Sequence, residues 1–318
     1  MSTIETITDR IVLVMLSISI WSGRKKLRPE DLHLSDGEIP PEELVSLGSK
    51  RICDPESLKG FHRIKQSAER ACLRVGTRFL GGFAVPQDQA DALAAQLDEL
   101  RTEFDGEVTT FLTSYDYALE QWIRTFPEFE GPIRRAIEPA AVVGGRLRFG
   151  FQLVEIKPAE QAGTLIEEVQ KLGNGIFSEI EQMARDLESS FEGKDKLHRR
   201  ALGTFNRIRD KLACLSFIDP RIQPVVNSID DWLTRLPSTS PIEGAIFNEG
   251  MGLALLLSDA ERMARHGAGQ LEVHQDEADS EQFADLDAEF ASLFETDTEE
   301  VKTTTTDNAP ETEASFFF

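Results

Sequence analysis

Glu155 and Lys157, in the stretch Glu155-Ile156-Lys157 that closes an apolar run, are the residues best spaced for chemistry. A Glu-x-Lys at the end of a core strand, with an Asp on a neighbouring strand, is how many restriction-type nucleases hold a divalent ion. The carboxylates ligate the ion and the lysine orients or activates the attacking water. No Asp stands on a strand just upstream, and Glu138 is the nearest carboxylate. A charged strand end accounts for the same residues without any chemistry, and the motif is very short.

Other constellations fall short of a site. Gly81-Gly82 in FLGGFAVP and Gly193-Lys194 in EGKDK lack the spacing with which a phosphate-cradling loop wraps its ligand, so Gly81-Gly82 reads as a helix stop and Pro86 as the next start. The five histidines (His33, His62, His198, His266, His274) have no ligand spacing. Cys53, Cys72 and Cys214 are far apart and never paired as CxxC, which fits a reducing cytoplasm rather than a disulfide framework or a thiolate zinc site. No metal and no cofactor are expected.

Two stretches are basic. Lys50 to Arg78 holds eight Lys/Arg against three acids, and Lys194 to Lys211 holds seven against two. Arg63, Arg70 and Arg74 in the first, with Arg199 and Arg200 in the second, are the candidates for nucleic-acid contact, where affinity would come from counterion release. The plainer reading is a solvated helix face or a dock for an acidic partner.

The elements that must position these residues are mostly helical, with a small β part (α+β). Ile11 to Trp21 is continuously apolar and then alternates, as a strand does when one face becomes exposed. It is too short to span a bilayer. Leu147 to Ile156 is the second strand, and the two are expected to pair. Helices are expected over Pro40–Leu47, Pro55 to about Leu80, Pro86–Phe104, Glu107–Thr125, Ala159–Glu192, Lys194–Ser216, Pro220–Leu236 and Ile242–His266. The apolar seam Ala90, Leu93, Leu97, Leu100 and Phe104 marks one of them. The pair from Ala159 to Ser216 reads as a helical hairpin stalk, kinked by Gly173-Asn174-Gly175.

Charge divides the chain further. The formal charge is −22, and Gly267 to Phe318 contributes −14 of it, leaving −8 for the first 266 residues. The organisation that follows is a mixed region 1–158, a helical region 159–266 and an acidic tail 267–318, expected to be disordered. The tail contains one amphipathic island, 283–294 (Phe283, Leu286, Phe290), and closes on Phe316, Phe317 and Phe318. These six residues are candidates for docking a partner protein, ring and carboxylate together fitting an apolar pocket rimmed by Arg or Lys.

The stretches SISIWSGRKKLRPEDL, PPEELVSLGSKRICDPE and RVGTRFLGGFAVP resemble a family of bacterial proteins of unknown function met on integrative and conjugative elements, plasmids and phages. The similarity runs from about Ile11 to about His266. It implies no activity, but it implies partners, since such genes often lie near a MoxR-type or cobaltochelatase-like AAA+ ATPase and a von Willebrand A-domain protein. The leading expectation is a cytoplasmic, non-enzymatic adaptor with no membrane contact. A DNA-binding accessory protein and a metal-dependent nuclease stay open as alternatives, as does a homo-oligomer.

Overall fold

In the computed structural model, which describes residues 3–31, 47–157, 163–238 and 241–270, the chain begins with helix α1 (Thr3–Thr8) and strand β1 (Ile11–Ser19). A two-stranded ribbon follows, β2 (Arg24–Lys26) with β3 (Ser49–Arg51), then α2 (Lys59–Val75), β4 (Thr77–Phe79), β5 (Gly82–Pro86) and the long α3 (Gln87–Thr125). Two single turns, α4 (Glu130–Arg134) and α5 (Ala140–Gly144), lead into β6 (Arg148–Glu155). The rest is helical apart from one short pairing: α6 (Leu165–Phe191), β7 (Lys196–Leu197), α7 (Leu202–Leu215), α8 (Ile222–Thr234), β8 (Ile242–Glu243), α9 (Ala245–Leu257) and α10 (Ala260–Gly267).

The main sheet has the order β4-β5-β1-β6, antiparallel throughout, and it separates two apolar cores. Successive side chains of a strand point to opposite faces, so β1 feeds both. Ile11 and Leu13, with Ala84 of β5, share one core with Ile176, Phe177, Ile180, Phe205 and Trp232 of the C-terminal helices. Val14, with Phe83, Val85 and Phe149, packs against Phe61, Ile64, Leu97, Phe104 and Tyr115 of α2 and α3. This explains the change of pattern along β1. Ile11 to Val14 are covered on both faces and all buried, whereas from Met15 onward burial alternates because one cover has ended. Strands β1 and β6 pair as expected, Val12 facing Glu155 and Ser19 facing Arg148.

Several expectations are corrected. Pro86–Phe104 and Glu107–Thr125 are one helix of 39 residues, about 58 Å long. A Cβ at Gly106 would meet no atom within 4 Å, so that glycine lowers helix propensity without breaking the helix. Gly81-Gly82 does not stop a helix. It belongs to the hairpin β4–β5, whose turn residues Leu80 and Gly81 have φ of 46° and 77°, the positive angles a two-residue hairpin needs.

Gly173-Asn174-Gly175 does not break α6, which runs continuously from Leu165 to Phe191. Gly173 is there because a Cβ would stand 1.9 Å from Asp219 Oδ2. Instead of a stalk, α6 and α7 belong to a layer packed on the sheet. The expected final helix is broken at Ser258-Asp259, where the Asp259 side chain accepts from the Arg262 amide and caps α10. The Pro40–Leu47 expectation falls mostly on residues outside those described, as do the whole of the island 283–294 and Phe316 to Phe318.

Among the described residues no helix is long and apolar enough to cross a membrane.

Candidate functional site

Past the end of β1 the chain turns through Trp21 and Gly23 into the ribbon. Trp21 is buried against Phe111 and Tyr115, and its Nε1 donates to Glu138 Oε2 at 3.1 Å. Gly23 has φ +62°, and a Cβ there would lie 2.5 Å from Cys53 Sγ, so the turn admits no larger residue. The ribbon then pairs Arg24 with Arg51, Lys25 with Lys50 and Lys26 with Ser49. Like charges directly opposite on a ribbon repel.

Two carboxylates offset part of that repulsion. Asp31, 2% exposed at its side chain, takes Lys50 Nζ, Arg135 Nη2 at 3.2 Å and the Arg28 amide at 3.0 Å. Glu138 takes Lys25 Nζ at 2.6 Å and Arg146 at 2.9 Å, and its carbonyl accepts from the Tyr115 hydroxyl. Burial works to raise the Asp31 carboxyl, but the hydrogen bonds from Lys50, the Arg28 amide and Arg135 outweigh it and hold it below the ordinary carboxylate range. At Glu138 burial is likewise outweighed, by Lys25 and Trp21. Arg24 and Arg51 have no side-chain acceptor among the described residues.

Two unlike clefts lie along the ribbon. One, of about 320 Å³, is lined by Lys25, Lys26, Arg28, Lys50 and Arg135 against Asp31 and Glu138, a net +3. The other, of about 460 Å³, is lined by Leu27, Trp122, Phe126, Phe129, Pro132 and Ile133, with Lys50, Arg51 and Asp31 at its rim. Phe126 and Phe129 are 40% and 45% exposed, and Trp122 stands edge-on to Phe126 with centroids 4.8 Å apart. Lys50 and Asp31 line both clefts. The arrangement suits a ligand that presents negative charge beside an apolar group.

A profile described as "Protein of unknown function (DUF3150)" matches residues 8–259. The chain belongs to this family. Its matched span contains the ribbon, both clefts and the whole main sheet. No curated protein matches the chain, and no solved structure does.

Of the described candidates, Arg63, Arg70, Arg74, Arg199, Arg200, Glu155 and Lys157 lie outside this site. Arg63 pairs with Glu103 at 2.6 Å, Arg74 with Gln96 at 2.8 Å, and Arg70 caps into its own helix on Gln66 and Ser67. Arg199 donates to the Pro237 carbonyl, and Arg200 lies beside it in a 3-10 turn before α7. In the same stretch Arg209 holds Asp230, Lys196 holds Glu243, and Lys211 is buried with Nζ on Glu179 and the Leu73 carbonyl.

Glu155 and Lys157 line a separate cleft of about 370 Å³ with Asp9, at the opposite end of β1 from Glu138. Among the described residues no group of three His, Cys, Asp or Glu is placed to hold a metal. Burial pushes the thiols of Cys53 and Cys72 up to about 11 and about 12, so both stay protonated at neutral pH.

Sequence reasoning gave Arg24, Lys25 and Lys26 no role in a site, and met Lys50 and Arg51 as the start of a basic stretch. Strands of three residues show no periodicity, and nothing local says that residues 23 to 27 positions apart lie opposite one another.

Proposed function

We propose that this protein is a non-enzymatic adaptor whose basic ribbon docks an acidic segment of a partner protein. The observation behind this reading is the junction at Lys50 and Asp31, where a net-positive cleft and an aromatic cleft share a wall. An extended peptide laid across the ribbon would place carboxylates against Lys25, Lys26 and Arg28 and an apolar side chain against Trp122 and Phe126. Short acidic–apolar motifs are recognised this way, charge giving encounter and an apolar anchor giving residence.

Nucleic acid is the second reading, because exposed aromatic rings beside basic side chains also suit a base stacked next to its phosphates. The peptide is favoured on charge. With −8 on the first 266 residues and −14 beyond them, the chain repels a polyelectrolyte more than it repels a segment bearing a few acids. In the setting implied by the resemblance, the partner would be the AAA+ ATPase or the von Willebrand A-domain protein.

Pull-down of the full chain with those two proteins, beside a single-stranded oligonucleotide, tests the reading. Capture of either protein that Arg28→Glu and Trp122→Ala both abolish supports it. Oligonucleotide binding that falls steeply with salt, with neither protein captured, replaces it with the second reading.

A further inference from the structure

The main sheet is closed at neither end, and its two edges differ. At one edge β4 has only three residues, Thr77–Phe79. At the other, β6 has eight, and among the described residues nothing pairs with its outer side. Natural sheets blunt long edges with charge, proline or bulges. Here Arg148 and Glu155 stand only at the two ends of the strand, and its interior is Phe-Gly-Phe-Gln-Leu-Val, with Leu153 and Val154 38% and 41% exposed and Met15 of β1 40% exposed. Met15 and Val154 open the sheet where the layer of C-terminal helices no longer covers it, and Leu153 is exposed on the other face.

We infer that the outer edge of β6 pairs antiparallel with the same edge of a second copy of this chain, about a twofold axis at Phe151. A twofold axis perpendicular to the sheet keeps each face continuous, so residues of like parity must oppose each other. With the axis at Phe151, Phe149 faces Leu153 of the partner subunit and Phe151 faces Phe151 of the partner subunit, all on the face that α3 covers. On the other face Gly150 meets Gln152 of the partner subunit, a long side chain over a position without one. Among the described residues nothing requires that glycine, because a Cβ at 150 would meet Ser17 only at ordinary contact distance, 3.6 Å or more.

Moving the axis to Gln152 would set Phe149 against Glu155, a poorer match. Antiparallel pairing also brings the Arg148 end of one strand to the Glu155 end of the other, whereas parallel pairing would bring like ends together. The three-residue opposite edge gives the pair no comparable surface for further growth, so the assembly closes at two copies.

Sedimentation of the full chain over a range of concentrations tests the inference together with a disulfide trap. In a Cys214→Ser background, Phe151→Cys puts two thiols across the axis at a Cα separation of about 4.5–5.5 Å, within what a disulfide spans. The expected result is a concentration-dependent dimer, cross-linked through Cys at 151 on mild oxidation. The double variant Leu153→Lys/Val154→Lys, which alters only exposed positions, should retain its circular dichroism and sediment as a monomer. A wild-type chain that is monomeric throughout overturns the inference, as does a dimer that survives both lysines. A strand contributed by an unrelated protein would appear as the first of these outcomes.

Discussion

Two glycines two positions apart in α6 make opposite predictions. At Gly173 an added Cβ would collide with the Asp219 carboxylate, which holds Arg221 at 2.7 Å, so Gly173→Ala should lower the urea midpoint and loosen that ion pair. At Gly175 nothing lies within 4 Å, and Gly175→Ala should stabilise by about 1 kcal/mol, the helix-propensity gain alone. Lys211 poses a different case. It is 2% exposed and bound to Glu179, whose other oxygen accepts the Arg78 amide. Lys211→Met should cost about 3–5 kcal/mol in chemical denaturation, because it leaves a carboxylate uncompensated, and Lys211→Met/Glu179→Gln should recover part of that loss.

Asp31 and Glu138 predict an acid limb. Both carboxyls titrate lower in the folded chain than in the unfolded one, so their contribution is whole above the ordinary carboxylate value of about 4 and is lost as pH falls through the depressed folded values. A melting-temperature series should show Asp31→Asn destabilising at neutral pH and converging on wild type in acid. A constant difference at every pH would show that the shifted titration contributes nothing.

At the scale of elements, the ribbon trades stability for charge. Arg51→Glu would place an acid opposite Arg24, turning repulsion into attraction. It should raise the melting temperature slightly while weakening partner capture, and a variant that loses both would point to a purely structural ribbon. How far the elements could be read in advance depends on how each is specified. Strands β1 and β6 were legible because their burial pattern is written in consecutive residues. The continuity of α3 was not, since Asp105-Gly106 looks like a break, and only the seam on both sides of it (Phe104, Phe111, Tyr115) decides otherwise. The β4–β5 hairpin was hidden because Gly81-Gly82 serves a helix end and a two-residue turn equally well. The site was the least legible part. Its cations come from β2, β3 and the segment around Arg135, and only the folded chain brings them to one cleft.

At the scale of the whole molecule, one sheet shared by two cores makes the layers interdependent. A substitution such as Val14→Ala, on the α2–α3 side, should lower the stability of the C-terminal helices equally. Unfolding followed at Trp21 and at Trp232, one tryptophan in each core, should then give coincident transitions.

The order of synthesis gives β1 a further burden. It leaves the ribosome well ahead of its partner β6, which begins 129 residues later. At about 5–20 residues per second that interval is roughly 6–26 s, and the helices that cover Ile11 and Leu13 come later still. During that time Ile11-Val12-Leu13-Val14 is an uncovered apolar strand, which makes the nascent chain a natural client for holding chaperones.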